Sequence, residues 1–293
     1  MKKGYFAIPI LAIALHFLLS NLFYFLVERL VLDVFHISPQ QFMNYSYWGE
    51  ILIYAVLILV FFTLYKLLWR KEISEPRTAT NFKDVLGSLV VGFGICGISG
   101  LWIMLAEHLP SLQKSVEAMN AGAENIAGGN AFGTFMIAVI AAPVVEEILF
   151  RGIVLRSMRK FTPAWAAILI SSVLFGVYHL NIVQAVYAAF MGIAAGILYE
   201  KKRNLLFPIL VHFANNLITV PFRSSQRERT PFASFGAVFS SAAASLCSIF
   251  SLVIGRHLLP EKFASFSMLC DISTGRSEAA APAAPRSPGA SYP

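Results

Sequence analysis

Long apolar runs alternate with short basic clusters along the chain, and the lengths of those runs predict membrane-spanning helices. A helix needs roughly 20 apolar residues to cross the hydrocarbon core. On that measure the pattern gives eight candidate spans, at 5–27, 47–69, 86–106, 132–156, 163–180, 183–200, 205–222 and 235–257. The fifth to seventh are short and punctuated by polar residues. Such spans are tolerated in lipid when other helices bury them, which places spans four to seven at the centre of the bundle. The expected fold class is all-α: a polytopic membrane bundle of about eight transmembrane helices.

This pattern divides the chain into an N-terminal part with spans one to three (1–131), a core with spans four to seven (132–222), span eight with its flanks (223–262) and a tail (263–293). The tail ends SEAAAPAAPRSPGASYP and is too rich in Ala, Pro and Ser to bury a core, so it is expected to be disordered. The chain begins MKK, but the apolar run that follows is longer than a signal peptide's and no A-x-A site succeeds it, so the first span is expected to be a retained anchor.

Composition strengthens the membrane reading. The 293 residues are 57% hydrophobic and 13% charged, against roughly a quarter charged in an ordinary soluble domain. Mean hydropathy is +0.67. The net charge of +7 does not indicate nucleic-acid binding, because the lysines and arginines sit in loops between apolar runs. Connections 70–85 (Arg70, Lys71, Arg77, Lys83), 156–162 (Arg156, Arg159, Lys160) and 201–204 (Lys201, Lys202, Arg203) are basic, whereas 28–46 and 107–131 carry one basic residue each. By the positive-inside rule both termini are expected in the cytoplasm. Arg223, Arg227 and Arg229 in the last connection depart from the pattern. Cys96, Cys247 and Cys270 show no C-x-x-C spacing and read as small packing residues.

The chemistry begins at VVEEILFRG, residues 144–152, where two glutamates and an arginine interrupt an apolar span. Ionisable groups are costly in lipid and mark a functional site facing the bundle interior. A helix turns about 100° per residue, so Glu147 and Arg151 share a face while Glu146 points about 140° away from Arg151. Glu147 and Arg151 can neutralise each other, which leaves Glu146 to be presented elsewhere. Pro143, just before the pair, removes a backbone donor and should kink or restart the helix.

Two further spans supply polar groups at one-turn spacing. FGVYHL places Phe175 and His179 on one face, and HFANN does the same for His212 and Asn216. A carboxylate, two imidazoles and a carboxamide suffice for hydrolysis: a glutamate and a histidine can deprotonate water, and a histidine and an asparagine can donate to the oxyanion of an attacked amide. At roughly 1.5 Å per residue from the basic ends of their spans, Glu146 and Asn216 lie about 15 to 17 Å deep, His212 about 10 Å and His179 about 24 Å. One mid-membrane site fits if the fifth span starts several residues later than assigned.

E-E-x-x-x-R at Glu146, Glu147 and Arg151, F-x-x-x-H at Phe175 and His179, and H-x-x-x-N at His212 and Asn216, in that order, resemble the three signature motifs of the CPBP intramembrane proteases. That family includes the eukaryotic CAAX prenyl endopeptidases and bacterial proteins labelled abortive-infection or bacteriocin-immunity proteins. The resemblance covers about residues 132–222. It implies an eight-helix bundle with a cavity inside the membrane, here of a bacterial cytoplasmic membrane. Glu146 and His179 would activate the water, His212 and Asn216 would form the oxyanion hole, and Glu147 and Arg151 would support the site. The implied partners are membrane lipid and a peptide or membrane-protein substrate, which the eukaryotic branch takes prenylated. Family members are commonly called metalloproteases, and Glu146, His179 and His212 are a donor set that can ligate zinc with a fourth position open. H-E-x-x-H is absent and the same residues serve a metal-free mechanism, so the cofactor is left open.

Two other readings use the same residues. A non-catalytic immunity or scaffold protein would bind a peptide in the cavity, and a proton-coupled transporter would use the acids and histidines as a relay. Asn215 is expected to bond a neighbouring helix or the backbone, and His16 and Glu50 read as interfacial or structural. Gly192 and Gly196 form a small-x-x-x-small pattern suited to close helix contact.

Overall fold

Polar caps and prolines set where the helices begin. The structure, a computed structural model, describes residues 3–36, 38–73, 80–126 and 130–224. Helix α1 (Ile8–Arg29) starts with Pro9 in its first turn, where a missing N–H costs nothing, and continues through wider turns to Val34. Helix α2 (Pro39–Leu68) opens on a capping box: Ser38 Oγ accepts from the Gln41 amide at 3.3 Å, and Gln41 Oε1 accepts from the Ser38 amide at 3.2 Å. That cap draws the polar residues before position 47 into the helix. Helix α3 (Phe82–Glu107) is capped by Asn81.

Helix α4 (Gln113–Asn125) was not among the candidate spans, because it is too polar to cross a membrane. Its apolar positions nonetheless fall on one face, and Val116 and Met119 are buried with Ala106 and Val183, beside Trp102 and Tyr187. Residues 131–158 form one helical stretch, α5, beginning at an Asn130 cap. Three further helices complete the described chain: α6 (Ala164–Tyr178), α7 (Ile182–Lys202) and α8 (Leu206–Ser224). Among the described residues there is no strand, and seven candidate spans coincide with helices. The eighth, 235–257, and the tail at 263–293 lie outside the described residues.

Four helical stretches are long and apolar enough to cross a membrane: Gly4–Val34, Ser46–Leu68, Phe82–Glu107 and Ile182–Lys202. Ala164–Tyr178 and Leu206–Ile218 are shorter apolar helices. The chain is an integral membrane protein built as a helical bundle.

Helix α5 is the enclosed centre. It packs against α1, α2, α6, α7 and α8, and every side chain from Ile148 to Leu155 is buried, Arg151 included. Enclosure does not extend to all of spans four to seven. Helix α6 buries Ala167, Ser171, Ser172 and Phe175 but exposes Trp165, Leu169, Val173 and Val177. The reason is that an apolar face needs no protein partner in lipid, so only the polar face of a short span must turn inward.

Where backbones approach most closely, glycine permits it. At Gly92 in α3, a Cβ would stand 2.4 Å from the Val211 carbonyl oxygen of α8. At Gly192 in α7, it would stand 2.9 Å from Ser172 Cβ and 3.1 Å from Arg151 Nη2. Close helix contact through small residues is how bundles gain dispersion energy in lipid.

Candidate active site

Helix α5 alternates between two hydrogen-bond patterns. Wide π-type segments, Phe135–Ala141 and Ile148–Leu155, flank a regular turn, Ala142–Glu147, which carries Pro143 at its start. Proline cannot donate to a carbonyl four residues back, and the helix restarts there. Such insertions re-aim side chains and recur at functional sites. Here they bracket Glu146 and Glu147.

Glu147 and Arg151 pair within the helix, Oε1 to Nη1, at 3.0 Å, and both side chains are fully buried. The guanidinium also donates from Nη2 to the Gly192 carbonyl at 2.9 Å and lies over the Phe175 ring, 4.9 Å from its centroid. A buried charge is tolerable only with such compensation. Glu147 Oε1 carries a second contact, to His212 Nδ1 at 3.0 Å. An ionised carboxylate only accepts, so Nδ1 holds the proton and Nε2 faces elsewhere. It faces Glu146, whose Oε2 stands 3.8 Å away, beyond direct hydrogen-bond length but suited to one shared water.

Phe175 joins the two histidines. Its ring meets His179 edge-on at 4.8 Å and 88°, and His212 at 5.7 Å and 83°. His179 caps the end of α6, and its Nδ1 lies 2.8 Å from the Phe175 carbonyl. A carbonyl cannot donate, so the proton sits on Nδ1 and the Nε2 lone pair is left for other work. The next residue, Leu180, adopts a left-handed conformation (φ 55°) that turns the chain sharply after His179. Asn216 donates through Nδ2 to the Ala138 carbonyl at 2.9 Å, and its Oδ1 accepts from Asn215 at 2.9 Å. These bonds orient the amide and use one of its two N–H groups. Asn215 therefore meets its own neighbour on α8 rather than another helix through this bond.

Whether these residues suit a metal can be read from the donors. Among the described residues, no three His, Cys, Asp or Glu side chains stand where one ion could be shared. His212 turns Nδ1 to Glu147 and leaves Nε2 3.8 Å from Glu146, a separation close to that of two ligands on one ion, with Nδ1 held by a carboxylate as it is in many metal-bound histidines. In this structure Glu146, His179 and His212 do not form a three-ligand group.

The three motifs thus converge through contacts between α5, α6 and α8. Residues 128–218 match the family described as type II CAAX prenyl endopeptidase Rce1-like. The matched segment is similar to that family over less than half of the chain, and it includes every motif residue named above. A Bacillus subtilis (strain 168) protein named "Putative membrane peptidase YdiL" is 32% identical over 85 residues, which are 29% of this chain and 35% of that protein. The aligned part is about a third of that relative's length. No solved structure matches the chain significantly.

Several residues at the site had no signal in the sequence as a motif. Gly192 was read only as a packing glycine, yet its carbonyl binds Arg151. Gly196 does pack closely, since its Cβ would stand 3.1 Å from Ile168. Ala138 serves through its backbone, which no residue type reveals. Tyr178 is adjacent to His179 and meets its ring at 5.5 Å and 89°. His16 is buried rather than interfacial and reaches Tyr178. Its apolar neighbourhood, Phe17 and Phe61, explains why only the tertiary fold exposes the connection.

Proposed function

We propose that this protein is an intramembrane endopeptidase that hydrolyses a peptide bond within or beside the membrane by a glutamate- and histidine-activated water. The observation that carries the reading is the arrangement around Glu147: one carboxylate oxygen neutralises Arg151 and orients His212, whose other nitrogen is aimed at Glu146. An ion pair kept only for stability has no need to orient a second imidazole toward a second acid, and burying charge seldom gains over an apolar core. The CPBP-type match over 128–218 supports the same conclusion.

In this mechanism Glu146 accepts a proton from water as the water oxygen bonds to the scissile carbonyl carbon. His179 Nε2, with Nδ1 held by the Phe175 carbonyl, shares the positioning of that water. The oxyanion takes hydrogen bonds from the remaining Asn216 N–H and from His212 Nε2. Since His212 keeps its Nδ1 proton in a hydrogen bond to Glu147 Oε1, a donation from Nε2 to the oxyanion makes the ring an imidazolium. Two carboxylates, one guanidinium and one imidazolium then sum to zero formal charge. Glu146 returns its proton to the amine as the C–N bond breaks. Both termini are assigned to the cytoplasm, and the substrate is a peptide or membrane protein.

The test is cleavage of a peptide library, prenylated CAAX peptides included, by the purified protein in liposomes, beside Glu146→Ala and with a chelator in a parallel set. Cleavage that disappears in Glu146→Ala and survives the chelator supports the mechanism. Full activity of a folded Glu146→Ala protein overturns it.

A further inference from the structure

We propose that the first span completes the site, with His16 acting through Tyr178 as a positioning residue for the His179 imidazole. This rests on the reading of His179 as a working residue of the site. It concerns a helix outside the matched segment 128–218.

His179 has one hydrogen bond in the structure, from Nδ1 to the Phe175 carbonyl. One bond near the ring's pivot fixes which nitrogen carries the proton but leaves the plane free to swing. Two rings limit that swing: Phe175 at 88° and Tyr178 at 89° both meet the imidazole perpendicularly, at 4.8 and 5.5 Å. Phe175 is wedged in the core between Arg151, Phe150 and His212. Tyr178 lies nearer the edge, with its ring against Phe150 at 5.3 Å on one side and α1 on another. Its hydroxyl is 3.1 Å from His16 Nδ1, and its ring meets Phe17 at 4.9 Å with the planes tilted by 39°.

His16 is an expensive choice for that position. It is 5% exposed on a span otherwise apolar around it. Ser20 Oγ stands 3.5 Å from Nδ1 and is already committed to the His16 carbonyl at 2.8 Å. Nε2 is buried with no partner. A histidine kept for packing would be replaced with profit by leucine, because a buried unsatisfied nitrogen costs about 1 to 3 kcal/mol. What leucine cannot supply is the bond to Tyr178. A phenylalanine at 178 would keep the ring but lose the same bond, so the two substitutions test one link.

The experiment uses the full chain in liposomes with His16→Leu, His16→Gln, Tyr178→Phe and the double variant His16→Leu/Tyr178→Phe. The first readout needs no peptidase activity: the rate at which diethyl pyrocarbonate modifies His179, followed by mass spectrometry. Losing one neutral hydrogen bond corresponds to about a 3- to 10-fold effect. His179 modification is expected to rise by that factor in His16→Leu and Tyr178→Phe, to be no greater in the double variant, and to return toward wild type in His16→Gln, whose amide can still bond the hydroxyl. With a cleavable peptide, kcat should fall by a similar factor while KM holds. Wild-type modification rates in both single variants, at unchanged thermal midpoints, would overturn the link, as would effects that multiply in the double variant. If no peptide is cleaved, the peptidase reading loses support while the modification rates still decide this one.

Discussion

His212 Nδ1 lies 3.0 Å from Glu147 Oε1, the same oxygen that neutralises Arg151. One atom thus couples the stability of the buried charge to the orientation of a histidine on a different helix. The second glutamate of the E-E-x-x-x-R motif is set apart from the first by this geometry: Glu147 holds, and Glu146 is the acid left facing a gap.

Glu147→Ala is therefore expected to be a folding defect before it is a kinetic one. It leaves the Arg151 guanidinium buried beside Phe175 with only the Gly192 carbonyl as a polar partner. Breaking a buried pair from one side costs about 3 to 5 kcal/mol. Adding Arg151→Met to Glu147→Ala should recover much of the loss, because the stranded charge goes with it. Thermal unfolding in detergent checks this, and losses that simply add would show that the pair is not the unit described.

Glu146→Gln and Asn216→Ala should behave differently, because neither removes the carboxylate that pairs with Arg151. Replacing the proposed general base by its neutral isostere is expected to lower kcat by about 10² to 10⁴. Removing one proposed oxyanion donor is expected to cost about 10² to 10³ in kcat. Both variants should bind substrate with near-normal KM and unfold near the wild-type midpoint. A fall confined to KM would move either residue from chemistry to binding.

Chelation should leave cleavage unchanged. The expectation follows from the grouping of donors: among the described residues, no three His, Cys, Asp or Glu side chains stand where one ion could be shared. Rates measured after exhaustive dialysis with chelator, with and without added zinc, decide it. Loss on chelation and recovery on zinc addition would require a third ligand, such as His179, to join His212 and Glu146 around an ion.

How far the sequence reaches can be judged residue by residue. The seven spans within the described residues were legible because lipid demands long uninterrupted apolar runs, and the ion pair at Glu147 and Arg151 because four residues are one helical turn. Phe175 and His179 were legible for the same reason. What lay beyond reach depends on backbone or on distant contacts. The Gly192 and Ala138 carbonyls carry no residue signature. The amphipathic α4 was hidden by its polarity and is defined by what Val116 and Met119 meet. His16 looked isolated because its partner is 162 positions away. The central placing of spans four to seven did not anticipate that α6 turns Trp165, Leu169, Val173 and Val177 outward, because short length was taken to require enclosure and lipid can cover an apolar face as well as protein can.

Gly92 offers the clearest separation of site support from general stability. Its missing Cβ would meet the Val211 carbonyl at 2.4 Å and Ala214 Cβ at 2.7 Å, and a backbone carbonyl in a helix cannot swing aside. Gly92→Ala must therefore push α3 away from α8 directly beside His212, and overpacking of this kind costs about 1 to 3 kcal/mol. Gly94, two residues along the same helix, has nothing within 4 Å of its Cβ position. There alanine should be harmless or gain up to about 1 kcal/mol from helix propensity. Comparing the two variants by thermal midpoint and by cleavage rate isolates the contact, since the residue change is identical. Activity lost in Gly92→Ala and kept in Gly94→Ala would show that α3, outside the matched segment, sets where His212 stands. Equal behaviour would mean that the approach of α3 to α8 is loose enough to absorb a methyl group, and that His212 is held by Glu147 alone.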